Sequence, residues 1–278
     1  MSRHDLTDGE WNAIRDFLPP ERPRKAGRPW NSHRQVINGI LWVVSLGSPW
    51  PDLPEEFGKW KTVYNRFRRW LKEGLWDRIL KCLLHRLDRK GLIDRDLWCV
   101  DGSLVRAHHA AAGANTESTE IAVNQGLGRS RGGFSTKLHL LTDGVGTPLG
   151  ATITAGQRNE SIEFQNLMNT VPTTWLSDPD WRPGAIAGDK GYSKLHIRQW
   201  LRLHNIQDVI AKRRNETGSN QFDPSLYRRR NVVERAIGWL KQSRRVATRY
   251  DKTAGSYLAV VKIAIIRRLL KTQLRETT

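Results

Sequence analysis

Three acidic residues and one cationic stripe hold most of the chemistry that this sequence offers. Asp101 follows the apolar run Leu97-Trp-Cys-Val100, and Asp189 closes Ile186-Ala-Gly-Asp189. Each reads as a carboxylate at the end of a short strand, where it escapes the core while the strand fixes its position. Taken singly, either Asp also reads as a turn or cap residue, and Gly191 beside Asp189 is itself a turn signal. The third element is more specific. In Tyr227-Arg-Arg-Arg230-Asn-Val-Val-Glu234-Arg-Ala-Ile-Gly-Trp-Leu-Lys241, Arg230 and Glu234 are spaced i, i+4 and Glu234 and Lys241 i, i+7. On a long helix from about Leu226, that spacing puts Tyr227, Arg230, Glu234 and Lys241 on one face. One carboxylate among cationic and phenolic groups suits a site that binds a metal and phosphates together. The alternative is an ion pair on a solvated helix.

Positioning these residues requires a sheet with helices packed on it. After Arg95 the pattern turns from helical to β. Leu97–Val100 is a short apolar strand that Ser103–Arg106 can extend, and Phe134–Leu141 and Leu149–Thr154 flank Asp143-Gly-Val-Gly-Thr147 as a hairpin. Ala110–Gly133 is small, polar and Gly-rich and reads as a flexible loop. A helix at Ser161–Met168, a strand at Ala185–Ala187, a helix at Lys194–Leu203, a strand at Asp208–Ala211 and the long helix follow, with a last basic helix from Ser256. This order predicts a mixed sheet flanked by helices, an α/β ribonuclease-H-like core.

The first third predicts helices. Thr7-Asp-Gly-Glu10 is a capping box ahead of Trp11, Ile14, Phe17 and Leu18, and Pro19-Pro20 stops that helix. The basic stretch Glu21–Trp30 reads as an extended arm. Ser32 caps a second helix with Val36, Ile37, Ile40, Leu41 and Val44 on one face, and Ser48–Pro54 is a loop. Trp60, Val63, Tyr64, Phe67, Trp70 and Leu71 then recur at helical spacing, while Lys61, Asn65, Arg68 and Lys72 share another face. An aromatic inner face and a basic outer face after a shorter helix and a turn suggest a helix-turn-helix recognition helix; a solvated basic face is the plainer reading. A helix at Leu75–Leu87, with Gly91 as its cap, closes the bundle. The expected domains are 1–93, all-α and helix-turn-helix-like, and 94–278, the ribonuclease-H-like core.

The chain has 278 residues and a formal charge of +18, from 46 Lys+Arg against 28 Asp+Glu. Such an excess favours a polyanionic partner, nucleic acid first, because each cation placed on a phosphate releases counterions. The excess lies at the two ends, since residues 96–190 carry 7 Lys+Arg against 10 Asp+Glu. No apolar stretch approaches the about 20 residues of a membrane span. Two cysteines, Cys82 and Cys99, make no disulfide framework, and Met1-Ser-Arg-His-Asp-Leu is no signal peptide, so a reducing cytoplasm is expected. His108-His109 lacks the Cys or carboxylate partners of a zinc site. Trp42, Trp60, Trp70, Trp76 and Trp200 fall on apolar faces and read as core. Arg228, Arg229, Arg244 and Arg245 read as a phosphate-tracking surface.

Tyr-x2-Arg-x3-Glu-x6-Lys, with an upstream Asp101-Gly-Ser and Gly188-Asp-Lys-Gly-Tyr192, resembles the signature of DDE transposases of bacterial insertion sequences. Gly27-Arg-Pro29, Asn38-Gly-Ile-Leu-Trp42, Gly47-Ser-Pro-Trp-Pro-Asp-Leu-Pro54, Arg69-Trp70, Gly132-Gly-Phe-Ser-Thr-Lys137 and Ala155-Gly-Gln157 resemble the insertion sequence five family in particular. The resemblance spans nearly the whole chain. It implies that Asp101, Asp189 and Glu234 form a catalytic, metal-binding triad for two divalent ions, Mg2+ with Mn2+ able to substitute. Asp101 would bridge both ions, and Asp189 and Glu234 would hold one each. Arg230 and Lys241 would grip phosphates and Tyr227 would position backbone or water. The spacing of 45 from Asp189 to Glu234 leaves little room for a large inserted domain. Glu160 stands where the family pattern has Asp; it keeps the charge and is given no role.

The implied activity is binding of an element's terminal inverted repeats, metal-dependent cleavage at the 3′ ends, and strand transfer into target DNA. The partners implied are double-stranded DNA, as element ends and target, and further copies of the chain in a dimer or higher assembly on DNA. The protein would then be associated with the bacterial nucleoid through DNA. Two rivals are a non-catalytic DNA-binding regulator derived from such an enzyme and a metal-dependent nuclease of the same fold.

Overall fold

The computed structural model describes residues 4–21, 31–112, 125–130, 132–172, 174–178, 181–214, 216 and 222–275. Gly27-Arg-Pro29, nearly all of the arm expected at Glu21–Trp30 and the middle of the loop expected at Ala110–Gly133 lie outside the described residues.

The N-terminal region is a helical bundle, built by the signals its sequence carries. Thr7 caps α1 (Asp8–Ile14): its hydroxyl accepts from the Glu10 N–H, and the Glu10 carboxylate accepts from the Thr7 N–H at 2.8 Å. A 3-10 turn at Arg15–Phe17 ends this helix before the prolines. Ser32 caps α2 (His33–Leu46), whose Val36, Ile37, Ile40, Leu41 and Val44 are buried. In α3 (Trp60–Lys72), Val63, Phe67 and Trp70 are fully buried while Trp60, Tyr64 and Leu71 are partly so. The connection from Gly47 to Lys59 winds through two 3-10 turns, at Trp50–Asp52 and Glu55–Phe57, and exceeds the about 3–4 residues of a strict helix-turn-helix. α4 (Leu75–Arg89) ends at Gly91, whose φ of +68° suits glycine and lets the Leu92 N–H reach the Leu87 carbonyl at 3.0 Å.

The sheet comprises β1 (Leu97–Ala107), β2 (Gly128–Ser130), β3 (Gly133–Asp143), β4 (Pro148–Ala155), β5 (Ala185–Gly188), β6 (Gln207–Ile210) and β7 (Thr248–Arg249). Its main order is β4-β3-β1-β5-β6; β2 extends the β4 side of β3, and β7 pairs with the far end of β1. β1, β3 and β4 run antiparallel, and β5 and β6 run parallel to β1. Three antiparallel strands followed by two parallel ones on the other side of the first make a ribonuclease-H-like sheet. The helices that follow are α5 (Phe164–Met168), α6 (Leu195–Leu203), α7 (Pro224–Arg229), α8 (Asn231–Leu240), α9 (Arg244–Ala247) and α10 (Ala254–Arg275).

Two expectations change. β1 is one strand of 11 residues, so Asp101 lies inside it and not at its end. The reason is pairing at a distance: β3 matches β1 from Trp98 to Arg106 and holds it extended past the aspartate. Arg245, expected on a phosphate-tracking surface, is 4% exposed. Its guanidinium donates to both Asp251 oxygens at 3.1 Å and to the Ser48 carbonyl at 3.0 Å, so it fastens the chain after α9 to the loop after α2.

α10 lies against α1, α2, α4 and β4. Its Tyr257, Val260, Val261, Ile265 and Leu269 join a buried core that also contains the apolar faces of α2, α3 and α4. Ion pairs from Lys262 to Asp77 and from Arg267 to Glu10, both 2.5 Å, flank that core. Among the described residues no helix is long and apolar enough to cross a membrane.

Candidate functional site

A notch opens in the sheet where β5 leaves β1. The last register pair is Val100 with Gly188, so the next residues on the two parallel strands are Asp101 and Asp189. β1 continues along β3, while the chain after Gly188 turns away. Asp189 makes that turn: its carboxylate accepts from the Gly191 N–H at 2.8 Å and caps the 3-10 turn Lys190–Tyr192. Its cap role and its place at the strand end are thus compatible. Burial pushes the Asp101 carboxyl up to about 6, with Arg230 and the Gly102 N–H pulling it down and the charges of Asp189 and Glu160 pushing it further up.

The cationic stripe approaches this notch from α7 and α8. Asp223 and Pro224 start α7, and the expected single helix is interrupted at Arg230. There the bonds tighten to i−3, from the Arg230 N–H to the Tyr227 carbonyl (3.0 Å) and from the Val233 N–H to the Arg230 carbonyl (3.1 Å). Tyr227, Arg230, Glu234 and Lys241 therefore do not share one continuous helix face. Arg230 and Lys241 instead reach different points along β1. The Arg230 guanidinium pairs with Glu234, lies 3.6 Å from Asp101 Oδ1, and sits 5.8 Å from the centre of the Tyr227 ring. Burial opposes the Arg230 cation, but Asp101 and Glu234 outweigh it and hold its pKa above the usual value. Lys241 Nζ donates to Ser103 Oγ at 2.7 Å and to the Leu104 carbonyl at 3.0 Å, two to three residues along β1 from Asp101. Burial lowers its pKa.

Asp101 and Asp189 are thus brought together, and Glu234 is joined to Asp101 through Arg230. The Glu234 side chain is 51% exposed, and among the described residues no three His, Cys, Asp or Glu are gathered closely enough to hold one metal ion. Glu160, given no role from sequence, lies at the notch. It opens the 3-10 turn Glu160–Ile162 after β4, and its Oε1 is 3.1 Å from Lys137 Nζ of β3. No local pattern marks it, because its contacts with Gly102 and Gly191, the glycines that accompany the aspartates, exist only in the fold.

Elsewhere, Lys61, Asn65, Arg68 and Lys72 are all exposed on α3, with Lys61 over the Trp60 ring and Arg68 over Tyr64. Arg228 and Arg244 are exposed, and Arg229 pairs with Asp94 at 2.7 Å. The His108 and His109 rings lie 3.9 Å apart, and His108 packs on Tyr250.

Residues 6–80 match the family model described as "Putative transposase of IS4/5 family", and residues 93–269 match the one described as "Transposase DDE domain". Uncharacterized protein y4sN of Sinorhizobium fredii (strain NBRC 101917 / NGR234) is 36% identical over 41% of this chain and 86% of its own length. The "Putative transposase for insertion sequence element IS402" of Burkholderia cepacia is 36% identical over 46% of this chain and 59% of its own length. That for IS6501 of Brucella ovis (strain ATCC 25840 / 63/290 / NCTC 10512) is 26% identical over 47% and 95%. Among solved structures, the Mos1 mariner paired end complex with Mn is similar at a TM-score of 0.31 and 13% identity, over 92% of this chain and 82% of that one. With the second of the two models matching well over half its length, this chain belongs to the DDE-domain transposases of insertion sequences.

Proposed function

We propose that the notch between β1 and β5 is the catalytic centre of a DNA transposase that cleaves at the 3′ ends of its element and transfers the freed strand to target DNA. The observation that carries this reading is the pairing of Val100 with Gly188, which sets Asp101 beside Asp189 with Arg230 and Glu234 at the same edge. In-line displacement at a phosphodiester needs an oxygen nucleophile at neutral pH and relief of charge on the leaving oxygen. Two divalent ions supply both when bound. The donors at the notch are carboxylate oxygens, which fit a hard cation such as Mg2+, with Mn2+ as a substitute. Asp101 and Asp189 would hold the metal, joined by Glu234 once it gives up Arg230.

The chain's own residues account for the rest. Arg230, held cationic between two carboxylates, is placed to exchange them for a phosphate near the scissile bond. Lys241 reaches the same stretch of β1 and offers a second phosphate contact. Tyr227 stacks under Arg230 and orients it. The exposed cations of α3, with Asn65, bind the terminal repeats of the element, and the basic ends of the chain give DNA affinity independent of the chemistry. Holding two element ends calls for a dimer or larger assembly on DNA. Residues 1–93 form the DNA-binding part and residues 94–278 the catalytic part.

The test is incubation of the protein with labelled duplex carrying the parent element's end, with Mg2+ or with chelator, beside Glu234→Gln. The expected result is metal-dependent cleavage at the end, followed by joined products, both abolished in the variant while DNA binding persists. Cleavage without joining would make the protein a nuclease. Binding without cleavage, under conditions that let ends pair, would make it a regulator.

A further inference from the structure

We infer that Glu160 is a fourth carboxylate of this centre, a direct ligand to a divalent cation beside Asp189; the inference rests on the metal-dependent reading above. Because a short connection leads from the end of β4 at Ala155 to the turn that Glu160 opens, the hairpin that places β3 against β1 also delivers this side chain to the notch. Its carboxylate is wedged between the glycines next to the two aspartates. A Cβ on Gly102 would lie 2.8 Å from Glu160 Oε1, and one on Gly191 would lie 2.5 Å from Oε2. A side chain at either glycine would therefore push the Glu160 carboxylate aside. The same point beside Gly191 is 2.8 Å from Asp189 Oδ1, so one oxygen of Glu160 and one of Asp189 both lie beside Gly191. Neighbouring carboxylates repel, and Lys137 beside Glu160 supplies one positive charge against that repulsion.

Tyr192 gives an independent reason to place a ligand there. Its hydroxyl is fully buried and makes no hydrogen bond. The charges that bear on it are those of Glu160 first, then Asp101, Asp189 and Glu163. A buried phenol among carboxylates, bonded to none, is one partner short. A divalent ion that keeps some of its waters would supply that partner as well as neutralising the oxygens. Formal charge agrees, because Asp101, Asp189, Glu160 and Glu234 outnumber Arg230, Lys137 and Lys241 by one.

The test is Mn2+ binding to the full chain without DNA, read as loss of the free-ion EPR signal. Glu160→Gln keeps the shape and removes the charge, and is expected to weaken binding by about tenfold or more, as is Asp189→Asn. Glu160→Asp should recover part of the affinity. Gly102→Ala, which changes no charge but displaces the Glu160 carboxylate, should also weaken binding and serves if Glu160→Gln folds poorly. Mn2+ affinity unchanged in Glu160→Gln or Gly102→Ala but abolished in Asp189→Asn would overturn the role of Glu160 and leave the metal centre standing. Unchanged affinity in all of them would overturn both.

Discussion

Asp101 is held where its charge is costly until something cationic arrives. Its carboxyl, raised to about 6 chiefly by burial, keeps a proton in the folded chain over a range where the unfolded chain, near 3.8, has given it up. The sign follows: between about pH 4 and 6 stability falls as pH rises, and the penalty is complete above 6. In chelator, Asp101→Asn should therefore raise stability at neutral pH by up to about 3 kcal/mol, at about 1.4 kcal/mol per pKa unit. Urea denaturation should show the gain disappearing below pH 4, and a drop in stability at neutral pH would contradict this account. The pairing of Arg230 with Glu234 was legible from their i, i+4 spacing, and the aspartates from the apolar runs before them. Glu160 was not, because its neighbours Gly102 and Gly191 lie far from it in the chain and meet it only in the fold.

Elements with strong local signals matched their sequence patterns: the capping box of α1, the apolar faces of α2, α3 and α4, and the hairpin of β3 and β4. What local pattern could not give was the extent of β1, set by β3, and the break at Arg230 between α7 and α8. Nor could it separate two adjacent arginines. Arg244 is exposed, while Arg245 is buried on a buried Asp251. Arg245→Met leaves that carboxylate unpaired and should cost about 3–5 kcal/mol in a denaturation experiment. Arg244→Ala should stay within about 0.5 kcal/mol. On α3, replacing Lys61, Arg68 and Lys72 by alanine touches no buried side chain. Stability should hold, and the slope of log affinity against log salt, from DNA anisotropy titrations, should fall by about 0.9 for each phosphate that is no longer neutralised.

Across the molecule, one buried core runs from the helices before residue 93 to the sheet and back through α10. Sequence showed two regions of different periodicity, but not that the last helix completes the first bundle, because an amphipathic face does not name its partner. Urea unfolding followed by tryptophan fluorescence and by far-ultraviolet circular dichroism should give coincident transitions; two separated ones would mean that the regions fold alone. Leu269→Ala, at a fully buried position of α10, should shift both probes together and cost about 2–5 kcal/mol. The place of α10 also sets an order on synthesis. The helices ending at Arg89 leave the ribosome before the segment that must cover them, Ala254–Arg275, has been made. At about 5–20 residues per second that wait is roughly ten to forty seconds. A message cut short near its 3′ end would then yield a chain whose first helices stay uncovered, one exposed to aggregation and proteolysis.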